Sequence, residues 1–194
     1  MGKGIFKGKT MLMLGSNAGS VDMVQYAKNN GAYTIVADYL PSEESEAKKF
    51  SDENVLISTA NTEALKRLIE DRHVDGIVSG ISEFNLLNAM SLSEFYGKRF
   101  YCNREQWDSI EHKDKFRNLC VEYGVPCPKT YYVGKSIKDC EMRDLSYPLV
   151  VKPVDCSASE GVHICENDKE LYRGFEDAVS CSDSGTAIIE EYVY

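Results

Sequence analysis

The sequence predicts an α/β protein in which a Rossmann-like parallel sheet is followed by a smaller α+β region. Through about residue 103, short apolar runs alternate with amphipathic helices, and the runs lack the in-and-out alternation of a strand exposed on one side. Such runs are typical of parallel strands that are covered on both faces. Farther along the chain, strands are joined by longer and less regular connections, which indicates a second domain.

The first region is predicted as alternating strands and helices. The first strand runs from Thr10 to a glycine turn at Gly15, and further strands are expected at 33–37, 55–57, 76–79 and 99–101. Helices are expected at 21–30, 62–72 and 83–95. Gly31 and Gly97 mark the ends of two of them. Because ligands of such sheets bind beyond the carboxyl ends of the strands, the candidate binding loops are 15–20, 38–42 and 79–83.

The second region begins with a predicted helix over 107–123, which ends at Gly124 and the rigid segment Val125-Pro126-Cys127-Pro128. Four strands are expected after it, at 130–133, 149–152, 162–165 and 187–191. Asn167, with Glu170 three residues later, has the spacing of a helix N-cap. The sequence therefore predicts strands and helices of an α+β domain in this region.

Composition and charge narrow the functional classes. The 194 residues are 43% hydrophobic and carry a net charge of −9, so a folded core is expected and nucleic-acid binding is disfavoured. The sequence has no apolar run long enough for a membrane span or a signal peptide, and Phe6 breaks the myristoylation pattern. The seven cysteines form no Cys-x-x-Cys motif. That usage favours reduced thiols, no zinc site and a cytoplasmic protein.

The turn Gly15-Ser-Asn-Ala-Gly-Ser20 contains one of the three glycines of a dinucleotide-binding fingerprint. Asn17 and Ser20 stand where the other two are needed. Asp38 follows the second strand, at the position of a ribose-binding carboxylate. A nicotinamide-dependent oxidoreductase therefore stays open as one interpretation of the function. In the simpler interpretation the glycines turn a strand into a helix, and Asp38 is solvated.

Lys152 lies inside the apolar run Leu149-Val-Val-Lys-Pro153. Burying a lysine is costly unless an anion meets it, so either a ligand phosphate binds here or the side chain reaches water from an edge strand. For a lysine without a partner in the protein, replacement by methionine is expected to leave stability without nucleotide unchanged or higher. The small, polar loop that follows, 154–162, can lay N–H groups and hydroxyls over phosphates, or it is an ordinary hairpin loop.

Two further segments carry clustered charges. Glu190 and Glu191 end an apolar strand, and alternation sends them to opposite faces, so they are not a general acid–base pair. Alone they would be a solvated strand end, and the segment 111–117 would alone be a charged helix start. Cys156 lies in the polar loop, either as a small filler or as a thiol whose pKa nearby cations lower.

The order of these segments resembles the first half of the ATP-grasp superfamily, to which biotin carboxylase and the carbamoyl-phosphate synthetase large chain belong. The matching segments are Asp114-Lys115, Gly124-Val-Pro-Cys-Pro128, Tyr147-Pro-Leu-Val-Val-Lys-Pro153, the loop through Gly161, and Ile188-Ile-Glu-Glu-Tyr-Val193. The preceding α/β region resembles the family's pre-ATP-grasp domain in fold. The resemblance implies a pre-ATP-grasp domain at 1–112 and the N-terminal part of an ATP-grasp domain at 113–194, with a lid at about 130–189.

The resemblance assigns the phosphates of ATP to two lysines and a loop. Lys115 and Lys152 would hold the phosphates, and a mobile loop would cover them with Ser157, Ala158, Ser159 and Gly161. Many relatives have a run of glycines in this loop, whereas this sequence has Asp155-Cys-Ser-Ala-Ser-Glu160. We therefore expect the phosphate contacts to depend more on hydroxyl groups.

The resemblance assigns adenine to the segment from Glu190 to Val193, a hinge that includes Tyr192. The Glu190 carboxylate would accept a hydrogen bond from the exocyclic amine of adenine. The backbone of Glu191 and of Val193 would read the rest of the base edge.

The function implied by the resemblance is that of an ATP-dependent ligase. ATP would phosphorylate a small carboxylate, and an amine, thiol or other nucleophile would attack the acyl-phosphate. The family's Mg²⁺ ligands lie well downstream of the hinge, so we expect them beyond Tyr194 and expect residues 1–194 alone to be inactive. A non-catalytic nucleotide-binding or regulatory module is the alternative. No catalytic residue is assigned, no membrane partner is expected, and the oligomeric state stays open, a homodimer included.

Overall fold

The computed structural model describes residues 4–17 and 19–193. Ala18, in the first of the candidate binding loops, lies outside the described residues. The chain divides into two compact units, Met1–Asn103 and Arg104–Tyr194. The expected domain boundary at residue 112 lies just after the first helix of the second unit.

The first unit contains a four-stranded parallel sheet. Its strands are β1 (Thr10–Leu14), β2 (Tyr33–Asp38), β3 (Glu53–Leu56) and β4 (Gly76–Ser79), in the order β3-β2-β1-β4. All three neighbouring pairs are parallel. This is the strand order of the first half of a Rossmann sheet, and the predicted parallel sheet is therefore confirmed.

Helices cover both faces of this sheet. They are α1 (Ser20–Asn29), α2 (Glu46–Phe50), α3 (Thr62–Asp71) and α4 (Glu83–Phe95). Side chains alternate along β1, so that Leu12 and Leu14 join a core with α3 and α4, whereas Met13 joins a second core with α1 and α2. Because helices bury both faces of the sheet, the apolar runs in its strands do not alternate with polar side chains.

Two details of the first unit differ from the sequence-based expectations. Residues 99–101, predicted as a fifth strand, form no strand. Their apolar character has another cause, because Phe100 packs against the core and stacks on Tyr101 with ring centroids 4.2 Å apart. The short helix α2 was not predicted. It buries Ala47, and the Lys48 ammonium donates hydrogen bonds to the carbonyls of Asp38 and Leu40, at 2.9 and 2.5 Å.

The second unit starts with two helices, α5 (Arg104–Glu111) and α6 (Lys113–Glu122), where a single helix was predicted. His112 between them has extended backbone angles, φ −83° and ψ 115°. The strands β5 (Thr130–Gly134), β6 (Leu149–Pro153), β7 (His163–Cys165) and β8 (Ala187–Glu191) form an antiparallel sheet in the order β5-β8-β6-β7. Short 3₁₀ turns lie at Ile137–Asp139 and Met142–Asp144.

One face of the second sheet forms a core with helix α7 (Asp168–Cys181). Asn167 caps this helix, its side chain accepting a hydrogen bond from the Glu170 N–H at 3.1 Å, as predicted. Leu149 and Val151 of β6 point into this core together with Ile189 of β8. Alternation therefore sends Val150 and Lys152 of β6, and Ile188 and Glu190 of β8, to the opposite face of the sheet.

None of the helices among the described residues is long and apolar enough to cross a membrane.

Candidate active site

Lys152 and Glu190 meet on the face of the second sheet that α7 does not cover. The register pairs Val150 with Glu190 and Lys152 with Ile188, which puts both charged side chains on one face. The Lys152 Nζ lies 2.5 Å from Glu190 Oε2, and the Glu190 side chain is only 1% exposed. The anion that the buried lysine requires is therefore a carboxylate of the protein itself.

Helix α6 adds a second cation to Glu190. The Arg117 guanidinium forms an ion pair with the carboxylate through Nε and Oε1, and its Nη2 lies 3.3 Å from Oε2. The side chains of Arg117 and Lys152 are 16% and 17% exposed. A buried carboxylate that is bonded by two cations is fully neutralised, and one positive charge remains in excess. That excess makes the sheet face a place where a ligand anion is favoured.

Lys113 also faces this site, whereas Lys115 does not. The Lys113 N–H donates to the Val154 carbonyl at 2.8 Å, and its Nζ donates to the Cys156 carbonyl at 2.6 Å. Lys113 and Arg117 are four residues apart and share a helix face, but Lys115 is rotated by about 200° from Lys113. Lys115 is exposed. The basic residue that meets the polar loop is therefore Lys113.

The loop between β6 and β7 has a fixed base and an exposed tip. The Asp155 carboxylate accepts hydrogen bonds from the Ser182 hydroxyl at 2.6 Å and from the Ser184 N–H at 2.8 Å, which ties the base to the segment after α7. At the tip, Ser157 and Ser159 are exposed. Ala158 and Ser159 have left-handed φ values of 55° and 62°. Such strain in consecutive non-glycine residues is typical of functional loops, where it presents backbone N–H groups outward.

Gly161 closes the loop at a position that no side chain fits. Its φ is +67°, and a Cβ added here would lie 2.8 Å from Pro153 Cγ and 3.0 Å from Cys181 Cβ. The loop therefore returns tightly over the end of β6, next to Lys152. This close return requires glycine both for backbone conformation and for space.

The predicted hinge begins with the last two residues of β8, Glu190 and Glu191. Glu191 points away from Glu190, and its Oε1 accepts the Lys129 N–H at 2.9 Å, while its own N–H donates to the Lys129 carbonyl. The Tyr192 N–H donates to the Pro148 carbonyl at 3.4 Å, and Val193 is exposed. The opposite orientation of the two glutamates agrees with the prediction from strand alternation.

No protein-family model matches the chain. The formate-dependent phosphoribosylglycinamide formyltransferase of Prochlorococcus marinus is 25% identical over 189 residues, which are 95% of this chain and 47% of the relative. The carbamoyl phosphate synthase large chain of Clostridium acetobutylicum is 25% identical over 205 residues, 95% of this chain and 19% of the relative. The biotin carboxylase domain of the Hydrogenobacter thermophilus 2-oxoglutarate carboxylase superposes with a TM-score of 0.82 at 20% identity, covering 95% of this chain and 44% of that one.

The homologues of this chain and its structural neighbours are ATP-grasp proteins. The chain spans about half the length of the first curated relatives that it matches. The mixed fold, with a parallel sheet followed by an antiparallel one, is that of the ATP-grasp structures it resembles. The expected family and fold class are therefore confirmed.

The structure brings together most of the residues that the ATP-grasp resemblance singled out. Lys152 and Glu190 share one face of the second sheet, and the loop with Ser157, Ser159 and Gly161 begins two residues after Lys152, at the end of β6 that pairs with the start of β8. Lys115 is set apart from them on the exposed side of α6. Sequence reasoning missed Lys113 and Arg117, although their four-residue spacing on a predicted helix marks one shared face.

The partner of Lys152 overturns one expectation about stability. Methionine at this position was expected to leave the fold as stable or to stabilise it, on the premise that the ammonium is unpaired. Because the ammonium is bonded to a buried carboxylate at 2.5 Å, its removal withdraws a charge-assisted hydrogen bond. We now expect a loss of stability.

Cys156 is not an activated thiol. Burial raises the pKa of its Sγ, and the neighbouring carboxylates of Asp155 and Glu160 raise it further. The thiol lies 2.6 Å from the Cys181 carbonyl, to which it donates. The pKa is therefore raised and not lowered, although the Lys113 ammonium lies at the Cys156 carbonyl. Packing and the hydrogen bond account for the residue.

In the first unit, the carboxylate that a dinucleotide would need is already engaged. Asp38 is 6% exposed, and it accepts hydrogen bonds from the N–H groups of Ser16, at 2.8 Å, and Leu40, at 2.7 Å. It holds the loops after β1 and β2 together and is not solvated. This use of both carboxylate oxygens disfavours a ribose-binding role.

Two cavities lie apart from the charged cluster. One of about 310 Å³ in the first unit is lined almost wholly by apolar side chains, among them Met11, Met13 and Tyr26, and lacks the convergent polar groups of a substrate site. Another of about 330 Å³ is bordered by Pro126, Glu191 and Val193. It lies beside the hinge, but Glu190 is not among its lining residues.

Among residues 4–17 and 19–193, no three His, Cys, Asp or Glu side chains are placed to hold a metal ion. The described residues therefore do not fit a magnesium site of their own.

Proposed function

We propose that this chain is the nucleotide-binding part of an ATP-dependent ligase that activates a small carboxylate as an acyl-phosphate. The observation that carries the proposal is the Lys152–Glu190–Arg117 cluster, whose Lys152 lies two residues before the strained polar loop. It provides one positive charge more than the buried carboxylate neutralises, at the place where the phosphates of ATP would lie.

The relatives support this proposal. The biotin carboxylase domain from Hydrogenobacter thermophilus was solved with MgADP, ADP and bicarbonate, and an N5-carboxyaminoimidazole ribonucleotide synthetase was solved with ADP. We propose that this chain likewise binds an adenine nucleotide, and that its second substrate is a carboxylate or bicarbonate.

The proposed reaction has two steps. A carboxylate oxygen attacks the γ-phosphorus and ADP leaves. A nucleophile, an amine or a thiol, then attacks the acyl carbon and inorganic phosphate leaves. Lys152 would hold the α- and β-phosphates, Lys113 would add positive charge from α6, and the hydroxyl and N–H groups of Ser157 and Ser159 would cover them. The protein contributes position and charge neutralisation to this chemistry.

Adenine would bind at the hinge, residues 190–193. The Glu190 side chain is 1% exposed and both of its oxygens are engaged by cations, so this carboxylate is not placed to accept a hydrogen bond from the exocyclic amine. The backbone of Glu191 and Val193, with Tyr192 between them, would read the base edge. Magnesium would accompany ATP. Because the described residues do not supply its ligands, we propose that they come from sequence beyond Tyr194.

We therefore assign the activity to the whole protein and expect residues 1–194 alone to bind nucleotide weakly and to turn over no ATP. Magnesium-dependent turnover by residues 1–194 that Lys152→Ala abolishes would contradict this. The proposal includes a cytoplasmic location, on the basis of seven free cysteines, and a homodimer as the oligomeric state to test first.

The experiment that tests the function is an isotope transfer. The full-length protein is incubated with MgATP and a panel of ¹⁸O-labelled carboxylates and bicarbonate, with candidate amines and thiols. An acyl-phosphate route moves one ¹⁸O from the carboxylate into inorganic phosphate, and Lys152→Met should abolish the transfer. ATP binding without ADP release under every condition would instead support a non-catalytic nucleotide-binding module. ADP release without ¹⁸O in phosphate would exclude the acyl-phosphate.

A further inference from the structure

Glu190 is a buried carboxylate that two cations share unequally. Arg117 contacts both carboxylate oxygens, through Nε to Oε1 and through Nη2 to Oε2. Lys152 is bonded to Oε2 through its single ammonium nitrogen, at 2.5 Å. Arg117 comes from helix α6 and Lys152 from strand β6, so the two cations are held by different elements.

This inequality matters if Lys152 binds phosphates. An ammonium that turns towards a nucleotide must give up Oε2, and a carboxylate with an exposure of 1% cannot take water in its place. Arg117 already spans both oxygens and is planar and always charged. With Arg117 present, Glu190 therefore stays paired when Lys152 leaves. Without Arg117, Lys152 would be bound to the one carboxylate that it must release.

We propose that Arg117 is a positioning residue for the nucleotide site: it holds Glu190 and thereby frees Lys152 for the phosphates. The inference rests on the proposed function, since it takes Lys152 as a phosphate ligand. It assigns Arg117 no contact with the nucleotide. It predicts that Arg117 matters for phosphate-bearing ligands and only while Lys152 is present.

The test is a double-mutant cycle read with two ligands. MgATP and adenosine are titrated calorimetrically into the full-length protein and into Arg117→Met, Lys152→Met and the double variant. Arg117→Met should weaken MgATP binding about ten- to a hundredfold, the range of one charge-assisted hydrogen bond, and should change adenosine binding less than about threefold. In the Lys152→Met background, adding Arg117→Met should change MgATP affinity less than about threefold. The reason is that Arg117 acts by freeing Lys152, and this background already lacks Lys152.

Two further variants complete the design. Arg173→Met removes an exposed arginine of α7 in the same unit and should change neither affinity. Arg117→Lys keeps the charge but not the two-point contact, so it should recover part of the MgATP affinity. If Arg117→Met does not fold, Arg117→Lys takes its place in the cycle. Arg117→Lys should then weaken MgATP binding by a smaller factor, and this effect should again be absent in the Lys152→Met background.

Several outcomes would overturn the inference. Equal losses for adenosine and MgATP in the Arg117 variants would mean general damage to the fold. Independent, additive losses in the double variant would mean that Arg117 acts apart from Lys152. If Lys152→Met itself leaves MgATP affinity unchanged, the proposed function fails together with the inference. If Lys152→Met weakens binding and Arg117→Met does not, only the inference about Arg117 fails.

Discussion

Replacing Glu190 by glutamine should strongly destabilise the second unit. The carboxylate is 1% exposed and holds the ammonium of Lys152 and the guanidinium of Arg117. Neutralising it leaves two cations side by side without their shared anion. Breaking a buried ion pair from one side costs about 3–5 kcal/mol. Because the cations are 16% and 17% exposed and can turn partly to water, we expect a loss near the lower limit, about 3 kcal/mol.

The assay is urea unfolding followed by tryptophan fluorescence. The chain has a single tryptophan, Trp107, which is buried in the second unit, so the signal reports on that unit. The matched control is Glu191→Gln, the neighbouring glutamate on the opposite face, whose amide oxygen can still accept the Lys129 N–H. A Glu190→Gln variant no less stable than Glu191→Gln would refute the reasoning, because the carboxylate would then not be what holds the cluster.

Three further predictions concern the polar loop. Asp155→Ala should lower the free energy of unfolding by about 1–3 kcal/mol, since Ser182 and Ser184 lose their acceptor. Burial raises the pKa of Asp155, but these hydrogen bonds lower it more, to below its ordinary value. The difference from wild type should therefore be full at neutral pH and shrink as the pH falls through that lowered pKa, as urea unfolding at several pH values will show; a constant difference would contradict it. Burial and the Asp155 carboxylate raise the pKa of the Cys156 thiol. Cys156 should therefore react with iodoacetamide at pH 7.5 at least about tenfold more slowly than free cysteine, as measured by mass spectrometry of digests. Faster labelling would mean an activated thiol. Gly161→Ala should destabilise by at least about 1 kcal/mol more than Gly185→Ala, because both have positive φ but only Gly161 lacks space for a Cβ; equal losses in urea unfolding would mean that backbone strain alone decides.

The sheets were predictable because each strand leaves a recognisable pattern of apolar residues in the sequence. In the first unit, apolar runs such as β1 are buried on both faces, and in the second, Lys152 and Glu190 are charged interruptions of otherwise apolar strands. Both patterns can be recognised one strand at a time. The predicted strand at 99–101 failed because Phe100 is apolar for a packing contact and not for a strand, a distinction that no local pattern makes.

The candidate site was predictable only in part. Lys152 stood out because a buried lysine demands an anion, but the sequence did not show that the anion is Glu190, 38 positions away along the chain and adjacent only through strand pairing. Lys115, and not Lys113, was expected to contact the phosphates because only the resemblance to the ATP-grasp motif Asp114-Lys115 was used. The helix period, applied to 113–117, would have placed Lys113 and Arg117 on one face. The strain at Ala158 and Ser159 has no signature in residues that usually avoid positive φ.

The measurement that tests the central claim most directly is the affinity of the full-length protein for MgATP, with and without the Lys152 ammonium. Calorimetric titration should show Lys152→Met binding MgATP about ten- to a hundredfold more weakly than wild type, the value of one charge-assisted hydrogen bond to phosphate. Melting curves without nucleotide should show a modest loss of stability, since Glu190 keeps Arg117 as a partner. Equal MgATP affinities would contradict the account, because Lys152 would then serve only to neutralise Glu190 and the sheet face would not be a phosphate site.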